Sequence, residues 1–274
     1  MKRLNESPQI MKHNIGIIGA GNMGGAIYKK LVKEWPDRVS IYDNDAQKIK
    51  KLNAGKNFSW LNELARKVRI IILAVKPQSF EGLAEELKGL VSDKLIVSIM
   101  AGVRIKKISQ SLKADKIVRA MPNLPVKAGA GMTAWVANKF VMEKEKKEIN
   151  KIFSVLGTVL ELKQEVKLDA VTAISGSGPA YFFYFSELLE QAAVKSGLTK
   201  QEAKILVEKT FTGSARLFAE SGENFKQLKE SIVSAKGTTA AALKIFEKNN
   251  LGKIITRAVM SAMLRAAELN QIRR

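Results

Sequence analysis

Short apolar runs alternate with helix-like stretches along the first half of the chain. An apolar run bounded by glycine or polar residues predicts a buried strand, whereas apolar residues spaced three and four apart predict an amphipathic helix. We expect strands over residues 14–19, 38–43, 69–75, 94–99, 116–120 and 131–137, and helices over residues 25–34, 60–67 and 104–112. Strands that alternate with helices are typical of a parallel, doubly wound α/β sheet.

The pattern changes after about residue 165, where strand-like runs stop and helices follow one another. Thr199 and Glu202 form a capping box that opens a long helix, and Asn224 is a candidate cap for the next one. Two more helices are expected, one from about Thr238 and one over residues 251–271. The second half of the chain is therefore predicted to be helical throughout.

One of these helices, expected over residues 179–195, begins Pro-Ala-Tyr-Phe-Phe-Tyr-Phe and is apolar on every side. A helix of this kind is normally buried on all its faces. About 110 residues of helices offer little room for such burial within one subunit. We therefore expect the helical half to pack against a second copy of itself and to make the protein a homo-oligomer.

A glycine-rich turn follows the first predicted strand. Residues Gly19, Gly21 and Gly24, with Asn22 and Met23 between the last two, match the pattern GxGxxG. The first glycine permits the tight turn, the second lets the backbone approach a pyrophosphate, and the third allows close packing of helix against strand. Because a helix N-terminus also attracts phosphate, the turn predicts dinucleotide binding, with a plain glycine turn as the alternative.

Asp43 ends the second predicted strand, 19 residues after Gly24. An acidic side chain at this place accepts hydrogen bonds from the ribose of NAD, whereas NADP needs a nearby arginine for its 2′-phosphate. No arginine follows within residues 44–48. We expect NADH to be the favoured cofactor, with NADPH as the alternative.

Two further strand ends are candidate parts of the cofactor site, because ligands of such sheets bind at the carboxyl ends of the strands. At the end of the third strand, a lysine is expected near phosphate or ribose, and the proline after it fixes the loop. Small residues after the fourth strand leave space for a nicotinamide ring. The residues concerned are Ala74, Val75, Lys76, Pro77, Ala101 and Gly102.

These patterns predict a fold class and a domain organisation. A polar extension over residues 1–12 precedes a Rossmann-like, doubly wound dinucleotide-binding domain over residues 13–165. An all-α dimerisation and substrate domain follows over residues 166–274.

Composition limits the chemistry. The chain has no cysteine and a single histidine, His13, so thiolate catalysis, serine–histidine catalysis and a metal site are not expected. No apolar run is long enough to span a membrane and no secretory signal precedes the first strand, which favours the cytoplasm. The net charge is +20, but the lysines are scattered along helices, so we predict attraction of anionic ligands rather than nucleic-acid binding.

Several segments, in order from about residue 14 to 270, resemble one enzyme family. They are IGAGNMG at 18–24, AVKPQ at 74–78, SIMAGV at 98–103, RAMPNLP at 119–125, GAGMTA at 129–134, SGSGPAY at 175–181 and GTT at 237–239. The first is shared with other reductases, whereas RAMPN and SGSGPAY together are specific. The chain resembles the pyrroline-5-carboxylate reductases, which catalyse the last step of proline synthesis.

The resemblance implies NAD(P)H-dependent reduction of a small cyclic imino acid, 1-pyrroline-5-carboxylate, to L-proline. It implies a helical domain that interlocks two subunits, and an active site where the nicotinamide meets that domain. By analogy, Gly237, Thr238 and Thr239 hold the substrate carboxylate, and Thr239 also serves the ring nitrogen. A glycine before two threonines also suits a helix N-terminus with free amides, which favours a carboxylate. Further site residues implied are Ser234, Ser175 and Gly178 for the substrate and Asn123 for the cofactor.

The chemistry agrees with the shortage of histidine. A protonated cyclic imine is already an electrophile, so catalysis rests on positioning and needs no strong base. Water or a threonine hydroxyl can deliver the proton to the ring nitrogen.

The chain departs from the family pattern at three places. Ala235 and Lys236 replace the usual Pro-Gly before Gly-Thr-Thr, and lysine adopts positive φ less easily than glycine. Leu124 stands where threonine is common, and Asp43 is acidic where the family is usually polar or carries arginine. The alternatives are a reductase of another cyclic imine or of a small hydroxyacid, and a non-catalytic NAD-binding protein.

Overall fold

The computed structural model describes residues 14–55 and 57–271. The predicted extension over residues 1–12 and His13 lie outside the described residues. The chain divides into two compact units. The first contains the described residues up to Gly176 and those from Ala262 onward, and the second is Ser177–Ser261.

The first unit is built on a sheet whose described part has seven strands in the order β2-β1-β3-β4-β5-β6-β7. The strands are β1 Ile15–Ile18, β2 Val39–Tyr42, β3 Ile70–Leu73, β4 Leu95–Ser98, β5 Ile117–Pro122, β6 Gly131–Ala137 and β7 Gly157–Glu161. Strands β1 to β5 are parallel to one another, β6 is antiparallel to β5, and β7 is parallel to β6. The six strands expected from the sequence are all present.

Helices cover the sheet and continue beyond it. They are α1 Asn22–Glu34, α2 Ala46–Leu52, α3 Leu61–Lys67, α4 Phe80–Leu87, α5 Ile105–Leu112, α6 Glu143–Ser154, α7 Lys167–Val171, α8 Gly178–Lys195, α9 Lys200–Ser221, α10 Phe225–Ile232, α11 Thr238–Lys248 and α12 Leu251–Gln271. Short turns of 3-10 helix span Pro77–Ser79 and Leu124–Ala128, and a π-helical turn spans Thr172–Gly176.

The core of the first unit lies on both faces of the sheet, because alternate strand residues point to opposite faces. Ile15 and Ile17 of β1 belong to the cluster on one face, and Ile18 belongs to the cluster on the other. In β3, Ile70 and Ile71 divide between the faces in the same way. This two-sided burial explains why the strands are apolar runs and not alternating patterns.

Three expectations about the first unit are corrected. The first helix begins at Asn22, because the Gly25 N–H already donates to the Gly21 carbonyl at 2.8 Å, so the predicted turn over residues 19–24 is too long. The sheet is not wholly parallel, since the short connection Leu124–Ala128 between β5 and β6 leaves no room for a crossover helix. Finally, no bounds were predicted for β7, α2, α4 and α6.

In the second unit, two predicted caps are confirmed. The Thr199 hydroxyl accepts from the Glu202 N–H at 3.3 Å, and the Thr199 N–H donates to the Glu202 carboxylate at 2.8 Å. The Asn224 side chain accepts from the Gln227 N–H at 3.0 Å at the start of α10. The expected succession of helices is therefore present.

The unit boundary at Gly176 lies beyond the expected one at residue 165. The intervening α7 packs on β5 and β6, where Leu168 joins the buried cluster with Met121, Ala134 and Val136. The segment is thus part of the core of the sheet unit.

Candidate active site

The glycine-rich turn between β1 and α1 has the geometry of a phosphate-binding turn. Gly19 has φ +107°, and a Cβ there would lie 2.7 Å from the Ala74 carbonyl carbon. A Cβ on Gly24 would collide with the Gly19 carbonyl oxygen, whereas nothing lies within 4 Å of the equivalent position on Gly21. Gly19 and Gly24 thus close the turn tightly, and Gly21 leaves its outer side open to a ligand.

The start of α1 has amides to offer to an anion. No side chain caps this helix at Gly21, and its first turn has no acidic residue. Gly21 and Asn22 are exposed, whereas Met23 is half-buried and packs against the core. The site fits a dinucleotide pyrophosphate, because unpaired backbone N–H groups and the positive end of the helix dipole face the open side of the turn.

Asp43 holds the glycine turn in place. Its Oδ2 accepts from the Ala20 N–H at 2.7 Å, and its Oδ1 accepts from the Asp45 N–H at 2.9 Å and the Lys48 ammonium at 3.1 Å. Burial raises the pKa of Asp43, but these three donors outweigh burial and leave the pKa below its ordinary value. A carboxylate has about four acceptor positions, so about one remains, on Oδ2, for a ribose hydroxyl.

A cleft of about 450 Å³ opens at the carboxyl ends of β1, β2 and β3. It brings together six residues predicted from the sequence for the cofactor. They are Gly19, Gly21, Asp43, Ala74, Val75 and Lys76. The position at the strand ends, beside the glycine turn, is where a doubly wound sheet binds a dinucleotide.

The cleft also has walls that sequence reasoning missed. They are Ile18, Tyr42, Asn44, Lys48, Leu61, Ser79, Gly82, Leu83 and Glu86. Four of them belong to α4 or the turn before it, and Phe80, Leu83, Ala84 and Leu87 in α4 are buried. Their spacing of three and four residues was a usable helix pattern. Burial, then Glu86 and Asp43, raises the pKa of Tyr42, so its hydroxyl stays neutral.

Other predicted cofactor residues lie outside this cleft. Pro77 begins the 3-10 turn after Lys76. Ala101 is half-buried in a core cluster, and Gly102 has φ +69°. A Cβ on Gly102 would lie 2.7 Å from the Leu269 Cβ, so the space beside this glycine is occupied by the end of α12. The position therefore requires glycine, and space for a nicotinamide ring beside Ala101 and Gly102 stays a prediction.

Asn123 and Ser175, predicted for cofactor and substrate respectively, contact each other. The Asn123 Nδ2 donates to the Ser175 Oγ at 3.2 Å, and the Asn123 Oδ1 accepts from the Met132 N–H at 2.8 Å. Asn123 is buried at the end of β5. Its amide joins β5, β6 and the π-helical turn that contains Ser175.

In the second unit, the predicted substrate loop leads into α11. Gly237 is the N-cap and carries no side-chain cap bond, and the first turn has no acidic residue. The Gly237 N–H donates to the Ser234 carbonyl at 3.0 Å, and a Cβ on Gly237 would collide with the Ser234 Oγ. Among the described residues, the hydroxyls of Thr238 and Thr239 have no hydrogen-bond partner. This helix start can therefore bind an anion through amides and hydroxyls.

Lys236 adopts the left-handed conformation, although lysine takes up this conformation less easily than the glycine usual in the family. Its φ is +62°, so the loop keeps a positive φ at a position where the family usually has glycine. A non-glycine residue in this conformation costs about 1–2 kcal/mol. The loop therefore retains a glycine-like shape under local strain.

The second unit has almost no core of its own. Ala203 and Val207 are its only buried hydrophobic residues, and the structure describes Ser177–Ser261 in full. In α8, Phe182 is 63% exposed and Phe183 is 56% exposed. Gly178, the remaining predicted substrate residue, is buried at the start of α8. So much apolar surface is typical of a subunit interface.

The described residues show no sign of two other kinds of site. None of their helices combines the length and the apolar character that a bilayer crossing needs. Within the same residues, no three histidine, cysteine, aspartate or glutamate side chains gather as a metal-binding group.

The fold and the glycine turn define a dinucleotide-binding protein, and comparisons with known proteins identify it as an oxidoreductase. Residues 14–102 match the family described as NADP oxidoreductase coenzyme F420-dependent, and residues 165–269 match pyrroline-5-carboxylate reductase dimerisation. The pyrroline-5-carboxylate reductase of Synechocystis is 35% identical over 95% of this chain and its own full length. That of Escherichia coli is 33% identical over 95% of this chain and also its full length.

Solved structures give the same result. A pyrroline-5-carboxylate reductase from Coxiella burnetii has a TM-score of 0.88 at 35% identity and covers 94% of this chain and 99% of its own. The Plasmodium falciparum pyrroline carboxylate reductase, solved with NADP bound, has a TM-score of 0.84 at 34% identity, over 94% of this chain and 98% of its own. The chain belongs to the pyrroline-5-carboxylate reductase family. It is an oxidoreductase with a pyridine-nucleotide cofactor.

Proposed function

We propose that this enzyme reduces 1-pyrroline-5-carboxylate to L-proline with NAD(P)H. The observation that carries the proposal is the start of α11, whose free amides and two threonine hydroxyls can bind an anion. The same chain also has a dinucleotide cleft. The substrate has both a carboxylate and an electrophilic imine carbon. An enzyme that binds the carboxylate and the cofactor together can position the imine carbon for hydride transfer, and this positioning is the main requirement of the reduction.

The chemistry divides between cofactor and protein. A bound reduced nicotinamide would supply the hydride for the new C–H bond at C5, and the C=N π electrons would move to nitrogen. The protein orients both reactants. The glycine turn and α1 hold the pyrophosphate, and the Asp43 carboxylate fixes the turn through Ala20. No side chain with the pKa of a strong base is required, because the protonated imine is already activated.

We assign the substrate carboxylate to the backbone amides at the start of α11. Thr238 and Thr239 follow Gly237 there, and Thr239 is half-buried whereas Thr238 is exposed. We assign to the Thr239 hydroxyl a contact with the ring nitrogen as that nitrogen becomes tetrahedral. Ser234 shapes the loop through its contact with Gly237.

We also assign Ser175 and Gly178 to substrate binding. Ser175 is held by Asn123, and Gly178 begins α8. Because Asn123 hydrogen-bonds to Ser175 and to Met132 of β6, we assign it a positioning role. It acts on the cofactor site through these two partners.

We further propose that NADH is preferred to NADPH. Asp43 retains about one acceptor position for a ribose hydroxyl, and Glu86 adds a second carboxylate to the same cleft. Among the described residues, Glu86 has no ion-pair partner, so its charge opposes a 2′-phosphate. The Plasmodium relative was solved with NADP, which makes the cofactor ratio a direct test.

We propose a homodimer formed by the helical unit. Burying one large apolar side chain stabilises an interface by about 1.5–3 kcal/mol, and α8 alone exposes Phe182, Phe183, Tyr184 and Phe185. Light scattering at micromolar protein should give at least twice the mass of one chain. A stable and active monomer would contradict this assignment.

Steady-state oxidation of NADH and of NADPH tests the reaction itself. We expect rapid turnover with 1-pyrroline-5-carboxylate and slower turnover with its six-membered homologue. A preference for the six-membered ring would identify a different imine reductase, and reduction of a small oxo-acid without either imine would identify the hydroxyacid alternative. Cofactor binding without any turnover would favour the non-catalytic alternative.

A further inference from the structure

A second cavity, of about 600 Å³, lies beside the glycine turn, between α1 and α2. We call it the lysine pocket, because five lysines line it. They are Lys29 and Lys30 of α1, Lys48 and Lys51 of α2, and Lys127 of the turn between β5 and β6. No acidic side chain is among its lining residues.

Most of this positive charge is not neutralised by the protein. Lys48 is paired with Asp43 at 3.1 Å and with Asp45 at 3.8 Å. In the part of the chain that the structure describes, the other four lysines form no ion pair. Four like charges around one cavity repel one another, and a bound anion would replace that repulsion with attraction.

A second feature points to the same kind of ligand. Gly21 and Asn22, at the uncapped start of α1, also line the lysine pocket. The positive end of the α1 dipole therefore adds to the positive potential of the lysines at the end of the cavity nearest the dinucleotide cleft. The pocket shares Gly21 and Lys48 with that cleft, whereas Lys29, Lys30, Lys51 and Lys127 belong to the pocket alone.

We propose that the lysine pocket is a separate binding site for a small oligophosphate anion. Its volume is in the range of about 300–1,000 Å³ that small-molecule sites occupy. Lysine binds phosphate as a compact point charge, and several lysines around one cavity suit a chain of phosphates carrying several charges. The shared chemistry is a phosphate group, which can come from a free oligophosphate or from the 2′-phosphate of NADPH.

Titration calorimetry with inorganic tripolyphosphate distinguishes these sources. The anion is titrated into the enzyme without cofactor, saturated with NADH, and saturated with NADPH. We expect one tripolyphosphate per chain in all three states. Loss of binding with NADPH alone would mean that the pocket serves the 2′-phosphate. Loss of binding with both cofactors would place the anion on the pyrophosphate site, and either result would overturn the proposal.

Two double variants with equal charge changes locate the site. Lys29→Gln with Lys51→Gln removes two charges from the lysine pocket, and Lys33→Gln with Lys50→Gln removes two exposed charges from the same helices outside it. The pocket variant should bind tripolyphosphate about tenfold or more weakly, since two charge-assisted contacts are lost. The control should change by less than about threefold, as expected for screened charges at a distance.

Equal weakening in the two double variants would show general attraction to a basic surface and would overturn the site. The cofactor-free titration keeps the test independent of the proposed reaction. Even a chain that failed to reduce any imine would bind tripolyphosphate in the lysine pocket. Circular dichroism and the midpoint of thermal unfolding verify that both variants fold, as expected for substitutions of lysines without ion pairs.

Discussion

Replacing Asp43 with Asn tests whether this carboxylate holds the glycine turn. The change keeps the size of the side chain and removes its charge. An amide has one acceptor oxygen, so it cannot satisfy the Ala20 and Asp45 N–H groups as the carboxylate does at 2.7 and 2.9 Å. It also leaves Lys48 without its partner at 3.1 Å.

The cost follows from these contacts. A hydrogen bond to a charged group contributes about 1.5–3 kcal/mol, and at least one backbone donor in a partly buried turn loses its acceptor. We expect Asp43→Asn to lower the free energy of unfolding of the first unit by about 2–3 kcal/mol. Because the turn also carries Gly21, the Kd for NADH should rise by about tenfold.

Urea unfolding followed by tryptophan fluorescence measures the effect, since Trp35 and Trp135 are buried in the first unit. Asp45→Asn is the matched control. Asp45 caps α2 through the Gln47 N–H at 3.0 Å, and Asn caps a helix about as well as Asp, so a loss below about 0.5 kcal/mol is expected. Equal losses in the two variants would refute the role assigned to Asp43.

The same variant has a pH signature. The pKa of Asp43 is lowered in the folded protein, so its carboxylate stabilises the fold fully above the ordinary aspartate value of about 3.9. That contribution is lost as the pH falls through the lowered value. The difference in stability between wild type and Asp43→Asn should therefore be full at neutral pH and shrink under acid conditions. A stability difference that increased as the pH fell would contradict the lowered pKa assigned to Asp43.

Three further predictions concern the loop, the substrate and the cofactor. Thr239→Ala should lower kcat/KM for 1-pyrroline-5-carboxylate by about tenfold or more with unchanged NADH binding, and Thr238→Ala should be milder, as steady-state kinetics and fluorescence titration would show. Lys236→Gly should raise the free energy of unfolding by about 1 kcal/mol by relieving the positive φ, whereas Lys244→Gly inside α11 should lower it by about 1 kcal/mol. Glu86→Gln should raise the NADPH to NADH ratio of kcat/KM by about threefold to tenfold, and an unchanged ratio would remove Glu86 from the cofactor site.

Local patterns predicted much of the fold. The strand, turn and helix around Gly19 follow from an apolar run and three glycines. The tight turn expected at Gly19 and the close packing expected at Gly24 are both present. The caps at Thr199 and Asn224 involve partners only three residues away, so they are visible in the sequence. Short-range hydrogen bonds of this kind depend little on the rest of the chain.

Long-range contacts were not predictable in the same way. Asp43 was expected to face a ribose, but its first partner is the Ala20 N–H, 23 residues earlier. Asn123 was assigned to the cofactor, yet its amide contacts Ser175, 52 residues later. Arg119 of the RAMPN segment is buried and paired with Glu165 at 2.9 Å. Each pairing depends on the order of strands in the sheet, which no periodicity specifies.

Edges of the fold were missed for a related reason. Strand β7 lies at the end of the sheet and is largely exposed, so its residues form no apolar run. Helix α2 is only seven residues long and has no fully buried residue, so its apolar side is marked by little more than Ile49 and Leu52. Elements that bury little leave little trace in the sequence.

Transfer of labelled hydride tests the central proposal most directly. The enzyme is given 1-pyrroline-5-carboxylate and NADH that carries deuterium at C4 of the nicotinamide, on the face used for transfer, and the product is examined by mass spectrometry and NMR. We predict L-proline with one deuterium at C5 for each NADH oxidised. Oxidation of NADH without proline, or proline whose C5 hydrogen comes from solvent, would contradict the proposed function.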